Sequence, residues 1–175
     1  MSGKGGEFER YISKELTFWL TGKKKPYAFW RMPASGALAT IHEQNETLSG
    51  DIIGISEEAK FFTNKISIEA KTGYPSTSVW QHFKEIKGFG IKLFWQQCVG
   101  DAINAGKMPM LIYRKKGKQI ITGISRMDFE RFTPLSQLPS MSIKFRDDEL
   151  PEVVFFDFMN FLKKLPPDKL KGHLQ

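Results

Sequence analysis

Polar and apolar residues alternate strictly over Lys65-Ile66-Ser67-Ile68-Glu69-Ala70-Lys71. A period of two predicts a half-buried strand with Glu69 and Lys71 on one face and the apolar residues on the other. Residues 51–55, Asp-Ile-Ile-Gly-Ile, read as a second strand that opens with a carboxylate. Glu57-Glu58-Ala59-Lys60 reads as an exposed bend joining the two. Paired as a hairpin, these strands bring Asp51 near Glu69 and Lys71.

The same reading extends along the chain. Phe8, Tyr11, Ile12, Leu16 and Trp19 recur at helical spacing and predict a helix over 7–20, ended by Thr21-Gly22. Residues 27–32 form an aromatic-rich strand, 33–37 a turn, and 38–49 a polar loop or short helix. Residues 72–90 are a long polar segment. A helix over 91–105 closes at Gly106, and a strand over 108–113 follows. The basic turn Arg114-Lys115-Lys116-Gly117-Lys118 leads to a returning strand over 119–124. Beyond it, the pattern predicts one helical turn at 128–132 and a short strand at 141–145. A helix is expected over 152–165, apolar nearly all round and so buried in the core or a subunit interface. The tail from 166 is polar.

The 175 residues fit one domain with a substantial core. Hydrophobic residues make up 41% and aromatics 13%, which excludes a disordered chain. A net charge of +7 favours a polyanionic partner, nucleic acid before an anionic membrane surface. Cys98 is the only cysteine, which excludes a disulfide framework and a cysteine zinc site and suits a small core position. His42, His82 and His173 lack zinc-ligand spacing. No Gly-x-Ser-x-Gly elbow is present, and Gly3, Gly5 and Gly6 are not followed by the Gly-Lys-Ser/Thr of a phosphate loop. Neither a secretory signal nor an apolar run of membrane-spanning length is visible. The expectation is a soluble, intracellular protein of the cytoplasm.

Two carboxylates and an ammonium at one end of a sheet make a candidate metal-dependent hydrolytic site. Seventeen residues lie between Asp51 and the Glu69-Ala70-Lys71 triplet, and this spacing resembles the PD-(D/E)XK nuclease signature. The order of the flanking motifs resembles the archaeal and phage Holliday-junction resolvase branch. The matching pieces are Gly5-Gly6-Glu7-Phe8-Glu9-Arg10, Arg31 with Ser35-Gly36, Gly50-Asp51-Ile52 and Ile68-Glu69-Ala70-Lys71. Together they cover about residues 3–125.

The resemblance implies an α/β restriction-endonuclease-like fold, a mixed central sheet flanked by helices. It implies a Mg2+-dependent endonuclease, with Mn2+ as substitute, that cuts branched or four-way-junction DNA as a homodimer. Glu9, Asp51, Glu69 and the carbonyl of Ala70 are the implied metal ligands. Lys71 is the implied group that orients water or stabilises charge. Ser35 is the implied turn serine, and Gln96 the implied helix glutamine, with Gln97 beside it as the alternative. Glu7 competes with Glu9, but residues two apart on a helix face different ways, so one of them serves.

The chain departs from the motif at Gly50, where the pattern carries proline, and in the length of 72–90. Residues 1–125 form the expected nuclease core. Residues 126–175 form a C-terminal helical extension, packed on that core or in a dimer interface within a single domain. Lys23 to Lys25, Lys84, Lys87, Lys92 and Arg114 to Lys118 are candidates for phosphate contact. Trp80, Phe94 and Trp95 are candidates for base stacking, with core packing the competing role of the two on the helix. The rival readings are a nicking, repair or restriction-type nuclease of the same superfamily and a non-catalytic DNA-binding module.

Overall fold

A computed structural model describes residues 4–32, 49–72, 90–145 and 150–174. Helix α1 (Lys4–Thr21) buries Phe8, Ile12 and Leu16, one side chain per turn on a single face. Ser13 and Thr17 are also buried there, and their hydroxyls donate to the carbonyls one turn back, at 2.9 and 2.8 Å. The Thr17 hydroxyl accepts in addition from the backbone N–H groups of Ala28 and Phe29, at 3.1 and 3.2 Å. One side chain thus ties α1 to the start of β1 (Phe29–Arg31).

β1 pairs antiparallel with β2 (Ile52–Gly54), with Arg31 opposite Ile52. The chain then enters α2 (Glu57–Thr63), whose N-cap Ser56 accepts from Ala59 N–H. The expected hairpin between the Asp51 and Glu69 strands is therefore corrected. Ala59, Phe62 and Thr63 give residues 57–63 a buried face, so the segment is a helix rather than an exposed bend. That helix returns the chain in the same direction, and β3 (Ile66–Thr72) meets the Asp51 segment through a parallel bridge between Gly50 and Ile68.

β3 is an edge of a five-stranded sheet in the order β3-β4-β5-β7-β6. α3 (Ile91–Asn104) connects β3 toward β4 (Met108–Arg114), which pairs parallel with β3. β5 (Ile120–Ser125), β7 (Val153–Asp157) and β6 (Ser140–Ile143) complete the sheet by antiparallel pairings, so it is mixed. α4 (Arg126–Arg131) and a 3-10 turn (Thr133–Gln137) link β5 to β6. α5 (Phe158–Lys164) and α6 (Pro167–Leu174) follow β7. This is the α/β architecture of a restriction-endonuclease-like fold, a mixed sheet flanked by helices and ending in helix.

The helix expected over 152–165 is corrected. Val153-Val154-Phe155-Phe156 is a strand inside the sheet, and the helix begins only at Phe158. The four residues are buried on both faces, and a short continuous apolar run looks alike in a buried helix and a buried strand. Asp157, which looked like a polar position within a helix, accepts from Asn160 N–H at 2.7 Å and caps the helix start.

The sheet separates two apolar clusters. Phe8, Ile12, Ile68, Met110, Ile112, Ile124, Val154 and Phe156 meet on one side, with α1, α2 and the C-terminal helices. Trp95, Cys98, Leu111, Tyr113, Val153 and Phe155 meet on the other, beneath α3. Cys98 is fully buried there, as its sequence context implied.

Candidate active site

The site lies where the Asp51 segment crosses the free edge of β3. Gly50 has φ +80°, and a Cβ on it would stand 2.5 Å from the carbonyl oxygen of Ile68. Proline, with φ held near −65°, cannot take this conformation. The departure from the motif is thus a backbone requirement of this chain: glycine lets the segment approach β3 closely. Asp51 is then fixed by its own backbone. Its N–H donates to Ile68 O and its carbonyl accepts from Met32 N–H, both at 2.7 Å. Its side-chain Oδ2 accepts from Ala70 N–H at 2.9 Å.

Glu69 and Lys71 share the other character of β3, the face turned toward α3. Glu69 is not on a solvated face as the alternation implied; it is 2% exposed. Burying a carboxylate is costly unless it is paired, and two partners meet that need. Gln97 Nε2 on α3 donates to Glu69 Oε1 at 2.9 Å, and Lys71 Nζ pairs with the same oxygen. Lys71 Nζ also stands 3.7 Å from Asp51 Oδ2, so one ammonium bridges two carboxylates.

Glu9 approaches from the first half of α1. Its Oε2 is 3.7 Å from Arg31 Nη1. Burial raises its carboxyl above the ordinary range and the Asp51 charge raises it further, with Arg31, Lys71 and Arg10 opposing. Glu7 is exposed two residues earlier. Burial likewise raises the carboxyl of Glu69, again with Asp51 adding to the rise and Lys71 opposing it. Both glutamates are held above their normal range chiefly by burial, with the Asp51 charge adding to it and the neighbouring cations opposing.

Among the described residues no three His, Cys, Asp or Glu side chains form a ready metal cage. The donor chemistry nevertheless suits a hard divalent cation, because every donor is oxygen. Asp51 and Glu69 supply carboxylates on either side of the space bridged by Lys71. Ile68 O and Ala70 N–H both face Asp51, so the Ala70 carbonyl opens on the same strand edge. Glu9 is coupled to this group through its charge rather than by contact.

The structure therefore brings Glu9, Asp51, Glu69, Ala70 and Lys71 together. Gln96 is corrected in register: both glutamines are exposed on α3, but the one whose amide reaches Glu69 is Gln97. Successive helix positions point about 100° apart, so only one of a Gln-Gln pair can face the strand. Ser35, Gly36, His42, Trp80, His82, Lys84 and Lys87 lie outside the described residues. Phe94 and Trp95 are buried, and the Trp95 indole donates to Pro151 O at 2.9 Å, so both pack in the core. Sequence reasoning missed Asp101, whose charge also raises Glu69. Its place one turn after Gln97 on α3 was the available signal.

An edge strand carrying Glu69-Ala70-Lys71, with an aspartate crossing it, on a mixed α/β sheet defines a nuclease of the PD-(D/E)XK type. More narrowly, the chain belongs to the family described as "Phage putative PDDEXK endonuclease", which it matches over residues 1–172. The match runs past residue 125, where the resemblance read from the motifs ended, and takes in β6, β7, α5 and most of α6. Neither the curated proteins nor the solved structures contain a match to the chain. Among the described residues no helix is long and apolar enough to cross a membrane.

Proposed function

We propose that the protein is a Mg2+-dependent DNA endonuclease that resolves four-way junctions as a homodimer. The observation that carries the catalytic part is the pair of carboxylates, Asp51 and Glu69, sharing Lys71 at the edge of the sheet. Asp51, Glu69 and the Ala70 carbonyl would hold Mg2+ or Mn2+, with Glu9 adding charge alongside. When bound, such an ion stabilises charge on the phosphate oxygens and lowers the pKa of water.

The chain's own groups do the rest. Lys71 orients the attacking water or donates to the phosphate oxygen on which charge builds. Gln97 holds the Glu69 carboxylate in one orientation, a precondition for geometry-dependent catalysis. Ser35, outside the described residues, is the remaining candidate that the resemblance implies. In the reaction the water oxygen forms a bond to phosphorus as the bond to one sugar oxygen breaks. The proton lost by water and the proton gained by the leaving oxygen balance.

The junction preference rests on the motif order around Glu9, Arg31, Ser35 and Asp51 and on the net positive charge. The dimer rests on symmetry: a four-way junction is two-fold symmetric and needs paired cuts, which two sites about one axis would supply. The test is cleavage of a four-way junction and of a linear duplex of the same sequence, with Mg2+, with Ca2+ and in EDTA. Cleavage with Mg2+ and binding without turnover in Ca2+ are expected. Asp51→Asn, Glu69→Gln and Lys71→Ala should each lower cleavage by orders of magnitude while leaving affinity nearly unchanged, because stabilisation of the transition state is what they lose. Full activity in EDTA defeats the metal mechanism. Junction binding without cleavage under any metal condition supports the non-catalytic module.

A further inference from the structure

We infer that the turn between β4 and β5 is a phosphate-gripping arm fixed beside the active site, and that the lysines at 23–25 do not share this role. The inference rests on the DNA endonuclease reading and names which surface holds the substrate.

The register places the arm. Leu111 on β4 lies level with Glu69, Tyr113 with Lys71 and Arg114 with Thr72. The turn therefore projects from the same end of the sheet as the catalytic strand. At about 3.3 Å per residue, Lys116 stands roughly 16 Å beyond the level of Glu69. That is less than half of a ~34 Å turn of duplex, so one nucleic acid can touch both.

The arm is built to stay in place. Thr72 donates its hydroxyl to Arg114 O at 3.1 Å. The Arg114 guanidinium lies over the Phe8 ring, 4.7 Å from its centroid, one residue from Glu9. The turn closes with Lys118 N–H donating to Lys115 O at 3.0 Å, and Gly117 takes φ +73° inside it. The base of the arm is thus joined to two of the three segments that carry acids of the site, β3 and α1.

Its charge is one-signed. No acidic residue occurs between Asp101 and Asp128, a stretch that holds Arg114, Lys115, Lys116 and Lys118. Lys116 and Lys118 are exposed, and no carboxylate among the described residues pairs with Lys115, Lys116 or Lys118. An array of ammonium groups with no specific partner recognises the phosphates of a nucleic acid without reading its bases. The other basic run differs in place. Lys23, Lys24 and Lys25 follow the C-terminal end of α1, and twelve residues of helix separate its end at Thr21 from Glu9. At 1.5 Å per residue they begin about 18 Å from Glu9. Trp19, near that end of α1, packs on Phe62, just ahead of the start of β3, so the three lysines lie toward the end of β3 opposite the arm.

The test compares two charge-removing triple variants, Lys115→Gln/Lys116→Gln/Lys118→Gln and Lys23→Gln/Lys24→Gln/Lys25→Gln. Junction and duplex binding are titrated in Ca2+ over a range of salt. The arm variant should lose affinity on the order of a hundredfold at ~0.1 M salt, and its log–log salt slope should shrink by about 2.7, or 0.9 per lost phosphate contact. The arginine version of the same triple should keep the wild-type slope. The 23–25 variant should keep both affinity and slope. An unchanged slope in the arm variant, or equal losses in the two triples, overturns the inference and leaves the endonuclease reading standing. Wild-type protein that binds no DNA overturns both.

Discussion

Burial lifts the Glu69 carboxyl above its usual range, and the Asp51 charge lifts it further. An acid whose folded-state pKa is raised stabilises the fold only while it keeps its proton. That contribution is fully present below the unfolded value, about 4.5, and is lost as pH climbs through the raised folded value. In metal-free protein, Glu69→Gln should therefore gain stability relative to wild type on going from pH 4 to pH 7. Denaturant titrations in EDTA at the two pH values check this, and a relative loss over that interval would contradict a Glu69 carboxyl raised by burial. Gly50 makes a different demand. Gly50→Ala forces a side chain into a left-handed backbone position against the Ile68 backbone. A cost of about 1–3 kcal/mol is expected, with cleavage falling as Asp51 is displaced. Thermal melts and cleavage rates would show it; an Ala variant with wild-type stability and rate would show that the close approach is unnecessary.

Among the elements, β7 has the strongest consequence. It lies between β5 and β6 and pairs with both. Its residues Val153, Val154, Phe155 and Phe156 are each at most 3% exposed. Four such side chains contribute about 1.5–3 kcal/mol apiece, which together rivals the ~5–15 kcal/mol stability of a whole domain. Truncation after residue 150 should accordingly abolish cooperative unfolding rather than trim a tail. Circular dichroism melts of the truncated chain decide it, and a sharp transition near the wild-type midpoint would be the opposing result. Phe155→Ala, a milder probe, should cost about 3–5 kcal/mol. The α2 crossover is the other element with consequences for the site, because it turns the chain so that Asp51 meets β3 in parallel.

For the molecule as a whole, the net charge of +7 and the one-signed β4–β5 turn both favour a phosphate-rich partner. Charge alone supplies affinity without selecting between duplex and junction, so shape must supply any preference. A C2 dimer would present two sites to the two strands that need cutting. Sizing in solution should therefore show a homodimer, and a competition gel shift at fixed salt should favour junction over duplex of the same sequence. A strict monomer that makes single nicks, with equal affinity for both DNAs, would move the protein to the nicking or repair reading.

The local pattern was enough to place most of this. Alternation in residues 65–71 specified β3, since a period of two has few other uses, and helical spacing specified α1. Residue chemistry likewise marked Asp51, Glu69 and Lys71, because two carboxylates and an amine at motif spacing are legible without coordinates, whereas Glu9 came only from the family resemblance. Three matters were decided by tertiary structure. Which glutamine meets Glu69 depends on the rotation of α3 over the sheet, and neighbouring positions on a helix carry identical composition here, Gln96 and Gln97. Whether Val153-Val154-Phe155-Phe156 is helix or strand depends on being flanked by β5 and β6, since burial on both sides erases the polar face that periodicity needs. The burial of Glu69 depends on α3 covering a strand face whose own sequence is polar. Residue order constrains contacts along one element, whereas the approach of one element to another is settled by packing.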